Sequence, residues 1–298
     1  MAAASPRWWE RLGDALVYSH AWIGLCAAAQ ALSTYWFIAR REEVDAMLAL
    51  YALLLFGATV SFYGFHRLYG LRKQLPHVRE PRWWAVYRLR RVIAALVLAG
   101  LVATLYLAAQ LPREWLWRLA VPGAVSALYA VPLLRGVRLR DSGRLKALWL
   151  SVGWVWLCVY VPLDATGATP AYALLGERLC FLLALTLPFD YRDVAHDRAE
   201  GVRTWPQRLG RAACRWASLG FLALGAACAT QIPLPDYAEL IGTAGIAVTY
   251  VLAVPLVLYA YRERTPHHLY FGLVLDGLLL VPLVAPVGIL QLWTWVYS

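Results

Sequence analysis

Val92-Ile-Ala-Ala-Leu-Val-Leu-Ala-Gly-Leu-Val-Ala-Thr-Leu-Tyr-Leu-Ala-Ala-Gln110 runs for nineteen residues without a charge. Wound as an α-helix at about 1.5 Å per residue, it is close to the roughly 30 Å of a bilayer's hydrocarbon core. Similar runs recur from end to end, and over 298 residues 61% are hydrophobic and 15% charged. Such a chain belongs in lipid. There each backbone N–H and C=O must be satisfied inside the protein, which leaves helices or a closed barrel. A barrel needs short segments of alternating polarity, which this sequence lacks. The fold class expected is therefore all-α, an integral membrane bundle forming one domain over 1–298.

Working outward from that run, apolar periodicity predicts nine spans: 15–38, 46–66, 92–110, 114–134, 146–163, 172–190, 212–232, 237–261 and 269–297. Charge orients them. Short cytoplasmic loops carry excess Lys and Arg, and with the N-terminus inside, the inner segments hold 23 of the 28 basic residues. The expectation is a cytoplasmic N-terminus, an outside C-terminus and a multi-pass protein of a bacterial inner membrane. Arg7, Glu10, Arg11 and Asp14 surround Trp8 and Trp9, a pattern that predicts an uncleaved, interfacial first helix. The five cysteines have no ligand spacing and read as small buried hydrophobes.

A net charge of +10 could call for nucleic acid, but the basic residues flank separate spans, so topology and anionic lipid explain most of them. The loops 67–91, 135–146 and 191–215 are more basic than orientation requires, and they are expected to converge on an anion.

The end of the sixth span reads Pro188-Phe-Asp-Tyr-Arg-Asp-Val-Ala-His-Asp-Arg-Ala-Glu-Gly201 and holds Asp190, Asp193, Asp197 and Glu200, four of eighteen acidic residues. On a continuous helix they fall within an arc of roughly 80°. Carboxylates stacked on one face repel unless a cation sits among them. Mg²⁺ suits hard oxygen ligands and bridges carboxylates to substrate phosphates. Equally, Arg192, Arg198 and Arg203 could pair with the acids on a solvated helix.

The run Asp193-x-x-x-Asp197-x-x-x-Gly201-x-x-Thr204-x-Pro206-x-x-Leu209-Gly210 resembles the second aspartate motif of the UbiA superfamily of intramembrane prenyltransferases. Tyr129-Ala-Val-Pro132-Leu-Leu-Arg135, followed by Arg140, Arg144-Leu-Lys146-Ala and Gly153-Trp154, is similar to that family's connection between its fourth and fifth helices. The resemblance implies nine helices around a chamber open to lipid. It also implies Mg²⁺ on two aspartate motifs, a polyprenyl diphosphate donor that ionises to an allylic cation, and a lipophilic or aromatic acceptor. On this reading Asp193 and Asp197 are catalytic, Asp190, Asp193 and Asp197 hold metal, and Arg140, Lys146 and Arg192 meet the diphosphate. Tyr63, Tyr129 and Asp276 are pocket candidates. An electrophile that water would quench needs a dry cavity, and aromatic faces stabilise its charge.

The second span departs from the family. Its end reads Ser61-Phe-Tyr-Gly-Phe-His66-Arg67-Leu-Tyr-Gly70-Leu-Arg72-Lys73, and no Asp or Glu lies between Asp45 and Glu80. His66, Arg67, Arg72 and Lys73 stand where the first aspartate motif is expected. Either they hold a diphosphate directly or they anchor the helix end at the membrane surface. Asp276, in Phe271-Gly-Leu-Val-Leu-Asp276, is costly inside a membrane; it serves the chamber or pairs with a Tyr or Arg. Glu177 and Arg178 read as an interfacial pair. Three functions follow: a divergent prenyltransferase, a relative that binds a lipid or quinone without prenyl transfer, and a transporter. The absence of an inverted repeat and the placement of charge at one face argue against the third.

Overall fold

The computed structural model describes residues 7–38, 46–74, 81–130, 143, 145–165, 171–199, 201–234, 236–264 and 266–297. Among them there is helix and no strand. The helices are α1 (Trp8–Tyr18), α2 (Ala21–Ile38), α3 (Ala46–Gln74), α4 (Pro81–Gln110), α5 (Arg113–Ala130), α6 (Lys146–Val155), α7 (Val161–Ala165), α8 (Tyr172–Arg192), α9 (Val194–Ala199), α10 (Trp205–Ala229), α11 (Asp236–Ala260) and α12 (Val281–Tyr297).

Among the described residues six helices are long and apolar enough to cross a membrane, or up to eight if each of two bent pairs is one span. Helix α5, on which the expected span 114–134 lies, is not among them. It carries Arg113, Glu114 and Arg118 in its first two turns. Two other expectations are corrected at their ends. Helix α3 runs on to Gln74 and α4 starts at Pro81, beyond the apolar cores 46–66 and 92–110. Long basic side chains let a helix continue past the hydrocarbon because their stems stay on apolar surface while their heads reach water.

The span expected over 15–38 is broken. Helix α1 is bent by 58° from α2, with His20 between them in the left-handed region at φ 64. The Ser19 hydroxyl accepts the Ala21 N–H at 3.3 Å and so satisfies one free donor at the start of α2. Helix α1 leaves Trp8, Trp9 and Leu12 exposed and buries Gly13, Asp14 and Tyr18, the two-faced pattern of a helix lying at an interface. The last span is also bent, by 60°. A π-turn, Tyr270–Leu275, passes into a 3-10 turn, Asp276–Leu280, before α12. Pro282 follows directly and has no N–H to give to the turn before it. A second π-turn, Trp156–Tyr160, joins α6 to α7. In α10 the chain kinks at Gly210, whose φ of 73 suits a residue without a β-carbon.

Packing makes a closed ring. Helix α2 meets α3 on one side and the Asp276–Leu280 turn with α12 on the other, α12 meets α11, α11 meets α10, α10 meets α8, and α8 returns through α6 and the first π-turn to α2. Phe181 and Ala184 of α8, Ala31 of α2, Val257 of α11 and Leu275 of the last span are fully buried in this ring. Helix α4 leans against α3 on the outside.

A candidate ionic site at one end of the bundle

The site is set by how α8 stops. Its last residue is Arg192, Asp193 takes φ −89 and ψ 6, and α9 begins at Val194. This bridge conformation is sparsely populated and recurs in active sites. The break divides the acidic stripe expected on one continuous helix. Asp190 and Asp197 turn to one cation and Asp193 to others.

Lys146 stands in the first turn of α6, where a helix dipole disfavours a cation. Two carboxylates offset that: its ammonium lies 3.0 Å from Asp190 Oδ1 and 3.1 Å from Asp197 Oδ2. All three are largely buried, with Asp197 at 1% exposure. Asp193 is gripped by the Arg192 guanidinium, Nε to Oδ1 at 3.0 Å and Nη2 to Oδ2 at 2.9 Å. Arg82 of α4 donates a third hydrogen bond to Oδ1 at 2.8 Å. Enclosure pushes the Asp193 carboxyl up, but Arg192 outweighs it, with Arg82 and Lys146 helping, and the group sits well below the ordinary carboxylate range.

Aromatic rings hold the cations in place. Arg192 lies over Phe271 at 4.7 Å and Phe189 at 5.0 Å, while Arg67 and Arg82 lie over Trp83 at 5.5 and 5.7 Å. Trp83 also faces the His196 ring at 6.3 Å. Four cations from α3, α4, α6 and α8 thus gather around three carboxylates.

Of the expected site residues, Asp190, Asp193, Asp197, Lys146, Arg192 and Arg67 come together. His66 lies in the same electrostatic neighbourhood as His20 and Arg67. Tyr63 accepts a hydrogen bond from Trp154 Nε1 at 3.1 Å and sets its ring against His20. Arg72 lines a separate groove of about 520 Å³ with Leu68, Leu71, Tyr87 and Arg90. Lys73 and Tyr129 lie on α3 and α5, but their side chains fall outside the described residues, as do Arg140 and Glu200. Asp276 forms neither expected pair: among the described residues its carboxylate has no hydrogen-bond partner.

Glu177 and Arg178 do pair, and the pair is buried within the protein. They are 1% and 2% exposed, one turn into α8. Arg178 Nη1 donates to Glu177 Oε2 at 2.6 Å, and the Tyr250 hydroxyl donates to Glu177 Oε1 at 2.8 Å. Arg82 was hidden among the eight basic residues of 67–91, since no spacing separates a site arginine from a topological one, and Trp83 beside it was not singled out. A second cluster was also missed. The buried Asp14 of α1 meets Arg88 at 3.0 Å and His268 at 3.0 Å, tying α1 to α4 and to the start of the last span.

The expected Mg²⁺ meets a difficulty of fit. Among the described residues no group of three His, Cys, Asp or Glu side chains is placed to hold a metal ion. The carboxylates face a lysine and two arginines, so a divalent ion would have to displace Lys146 before reaching Asp190 and Asp197. As arranged, these residues do not fit a bound Mg²⁺. They present a cationic rim of a kind that takes an anion by exchanging partners.

No family model matches the sequence, and no curated protein matches it. Solved structures do. A UbiA homologue from Aeropyrum pernix K1, solved in its apo form, matches with a TM-score of 0.64 at 19% identity, over 92% of this chain and 98% of that one. A structure described as digeranylgeranylglyceryl phosphate synthase in membranes matches with a TM-score of 0.54 at 12% identity, over 94% and 99%. Over more than nine-tenths of its length this chain is therefore built on the fold of UbiA homologues.

Proposed function

We propose that this chain is an intramembrane prenyltransferase-like enzyme, with nine spans and a cytoplasmic N-terminus, that takes a polyprenyl diphosphate and transfers its chain to a lipophilic or aromatic acceptor. One observation carries the reading: Arg67, Arg82, Lys146 and Arg192 gather at one end of a bundle with the UbiA fold, each within reach of a carboxylate or an aromatic face. In the reaction the bond between the allylic carbon and the bridging oxygen breaks and its electron pair leaves with the diphosphate. The cation that remains bonds to the acceptor, which gives up a proton. The part of these residues is to hold the leaving diphosphate. Arginine forks and a lysine ammonium do this as charge-assisted donors, and the carboxylates keep the cations in register until the anion arrives.

A second reading has its own support. With no acid between Asp45 and Glu80 and with Lys146 between Asp190 and Asp197, the chain also suits a UbiA-fold protein that binds a lipid or quinone without transfer. Purified full-length protein, offered labelled prenyl diphosphates with a membrane lipid extract, separates the two. The enzyme releases diphosphate and labels a lipid. Arg82→Gln and Arg192→Gln then weaken donor binding by about 1.5–3 kcal/mol each, as expected for a lost charge-assisted contact. Absence of both binding and release rejects the prenyltransferase in favour of the lipid binder.

A further inference from the structure

Nothing in the transfer step above uses the groove of about 520 Å³ that Leu68, Leu71 and Arg72 of α3 form with Tyr87 and Arg90 of α4. Its size lies within the roughly 300–1,000 Å³ of sites that hold small molecules. Both of its charged residues are arginines, and among the described residues neither meets a carboxylate. Two other arginines of α4 do: Arg82 lies 2.8 Å from Asp193 and Arg88 lies 3.0 Å from Asp14. Arg90 is held without being neutralised. Its guanidinium carbon sits 4.0 Å from the centroid of the Tyr87 ring, and Nη1 donates to the Tyr87 carbonyl at 2.7 Å. A ring and a carbonyl orient an arginine while leaving its charge and further N–H donors for something else. Arg72 is exposed two residues before the end of α3.

The depth of the groove decides its ligand. Arg90 lies two residues before the uncharged run 92–110, and Arg72 lies six residues beyond the apolar core 46–66. At about 1.5 Å per residue these are roughly 3 and 9 Å outside the hydrocarbon, within the headgroup layer. Helix α4 packs on α3 and α1 outside the ring, so lipid reaches this depth from the side. Towards the hydrocarbon the surface turns apolar. Phe65 lies three residues from Leu68 on α3, and Leu98 and Leu101 lie eight and eleven residues from Arg90 on α4, spacings that keep each set on one helix face. All three of these side chains are exposed.

We propose that this groove seats an anionic phospholipid of the surrounding bilayer, its phosphate on Arg72 and Arg90 and an acyl chain along Phe65 and Leu98. A zwitterionic lipid also carries a phosphate, but among the described residues the groove offers its ammonium no carboxylate, so net negative lipid is preferred. The seat is distinct from the ionic rim yet mechanically joined to it. Leu71 and Trp83 are buried in one cluster, and Trp83 is the ring beneath Arg67 and Arg82. A lipid bridging α3 and α4 here braces the two helices that supply those arginines. Its binding needs no prenyl transfer.

The test titrates the full chain in detergent micelles with phosphatidylglycerol and with phosphatidylcholine of the same acyl chains. Bound lipid is counted by native mass spectrometry, and thermal unfolding is followed in parallel. Wild type should hold one phosphatidylglycerol about 30-fold more tightly than phosphatidylcholine, as expected for two basic groups at an anionic surface, and should unfold at a higher temperature with it. Arg72→Gln/Arg90→Gln should lose the preference and the added stability, and Arg72→Lys/Arg90→Lys should keep most of both. Arg208→Gln/Arg262→Gln removes the same charge elsewhere, including an arginine 4.4 Å from the centroid of a tyrosine ring, and should leave the preference intact. Should the double glutamine variant fail to fold, Arg72→Gln alone, at an exposed position, must still weaken the preference. Equal retention of the two lipids by wild type overturns the proposal, as does an undiminished preference in the glutamine variants or an equal loss in Arg208→Gln/Arg262→Gln. Displacement of the held phosphatidylglycerol by one equivalent of farnesyl diphosphate would give the groove to a prenyl donor and overturn it too.

Discussion

Helix α8 carries charge at both ends, and the two ends are built differently. Near its start, Glu177, Arg178 and Tyr250 form a sealed knot in which neither charged side chain exceeds 2% exposure. Near its finish, Arg192 and Asp193 keep 23% and 21% of their side-chain surface, and Lys146 keeps 12%. A sealed pair gains its partner's charge and has no route to another, so it behaves as part of the packing. An open cluster holds its charges in balance while leaving them able to swap a carboxylate for an incoming anion. The same helix supplies a fixed fastening and an exchangeable one, and exposure is what separates them.

The largest effect that would break this distinction is expected at the sealed end. Glu177→Gln leaves the Arg178 charge uncompensated and should cost about 3–5 kcal/mol in reversible unfolding from detergent micelles. A loss below about 1 kcal/mol would mean that the knot is not sealed.

Next comes the exchangeable end. Lys146→Met leaves Asp190 and Asp197 facing each other, so it should lower stability by about 1–3 kcal/mol, and the loss should be recovered when Mg²⁺ occupies the vacated place. Wild type should gain little from Mg²⁺ over the same range. If thermal unfolding shows equal stabilisation of both proteins by Mg²⁺, Lys146 does not compete with the metal.

A smaller effect follows from Asp193. Its carboxyl is depressed in the folded protein, so the unfolded chain binds more protons at low pH, and the ion pair's stabilisation is complete above the ordinary Asp value of about 3.9. It is lost as pH falls below that value through the lower folded one. The gap in unfolding midpoint between wild type and Asp193→Asn should therefore stay constant between pH 5 and 8 and close only below about pH 4. A gap that closes at pH 6 would contradict the arginine grip. The smallest effect belongs to Arg211 and Glu263, a surface pair with Glu263 at 84% exposure. Glu263→Gln should change stability by no more than about 0–1 kcal/mol, giving a baseline for the other three.

Much of this fold can be read from residues alone, because a bilayer demands long apolar runs with few charges, and α3, α4, α8 and α11 supply them. What could not be read is where helices bend. Ser19 and His20 look ordinary within an apolar run, and the contact of α1 with α4 that accompanies the 58° turn, Asp14 to Arg88, spans 74 residues. Helix ends were drawn too early for the same reason in reverse, since Arg67 and Arg82 look like loop residues yet extend α3 and α4 by turning onto Trp83. The site divides likewise. Asp190, Asp193 and Asp197 stand out by spacing and Arg192 lies beside Asp193, but Lys146 and Arg82 come from sequence separations of 51 and 111 residues, which no local pattern encodes. The enclosure of Glu177 was not legible, because nothing near it names Tyr250, 73 residues away.

The closed ring sets a schedule for biosynthesis. Helix α2 completes its polar contacts only with the last span: Trp22 Nε1 donates to the Leu273 carbonyl, Cys26 to that of Asp276 and the Gln30 amide to that of Leu279, across 251, 250 and 249 residues. At about 5–20 residues per second, a ribosome needs roughly 12–50 seconds to make the partner after α2 has emerged. Throughout that interval the first-made wall of the bundle carries a glutamine and an indole N–H with their eventual acceptors not yet translated, so the insertion machinery or neighbouring lipid head groups must shelter them until the ring shuts.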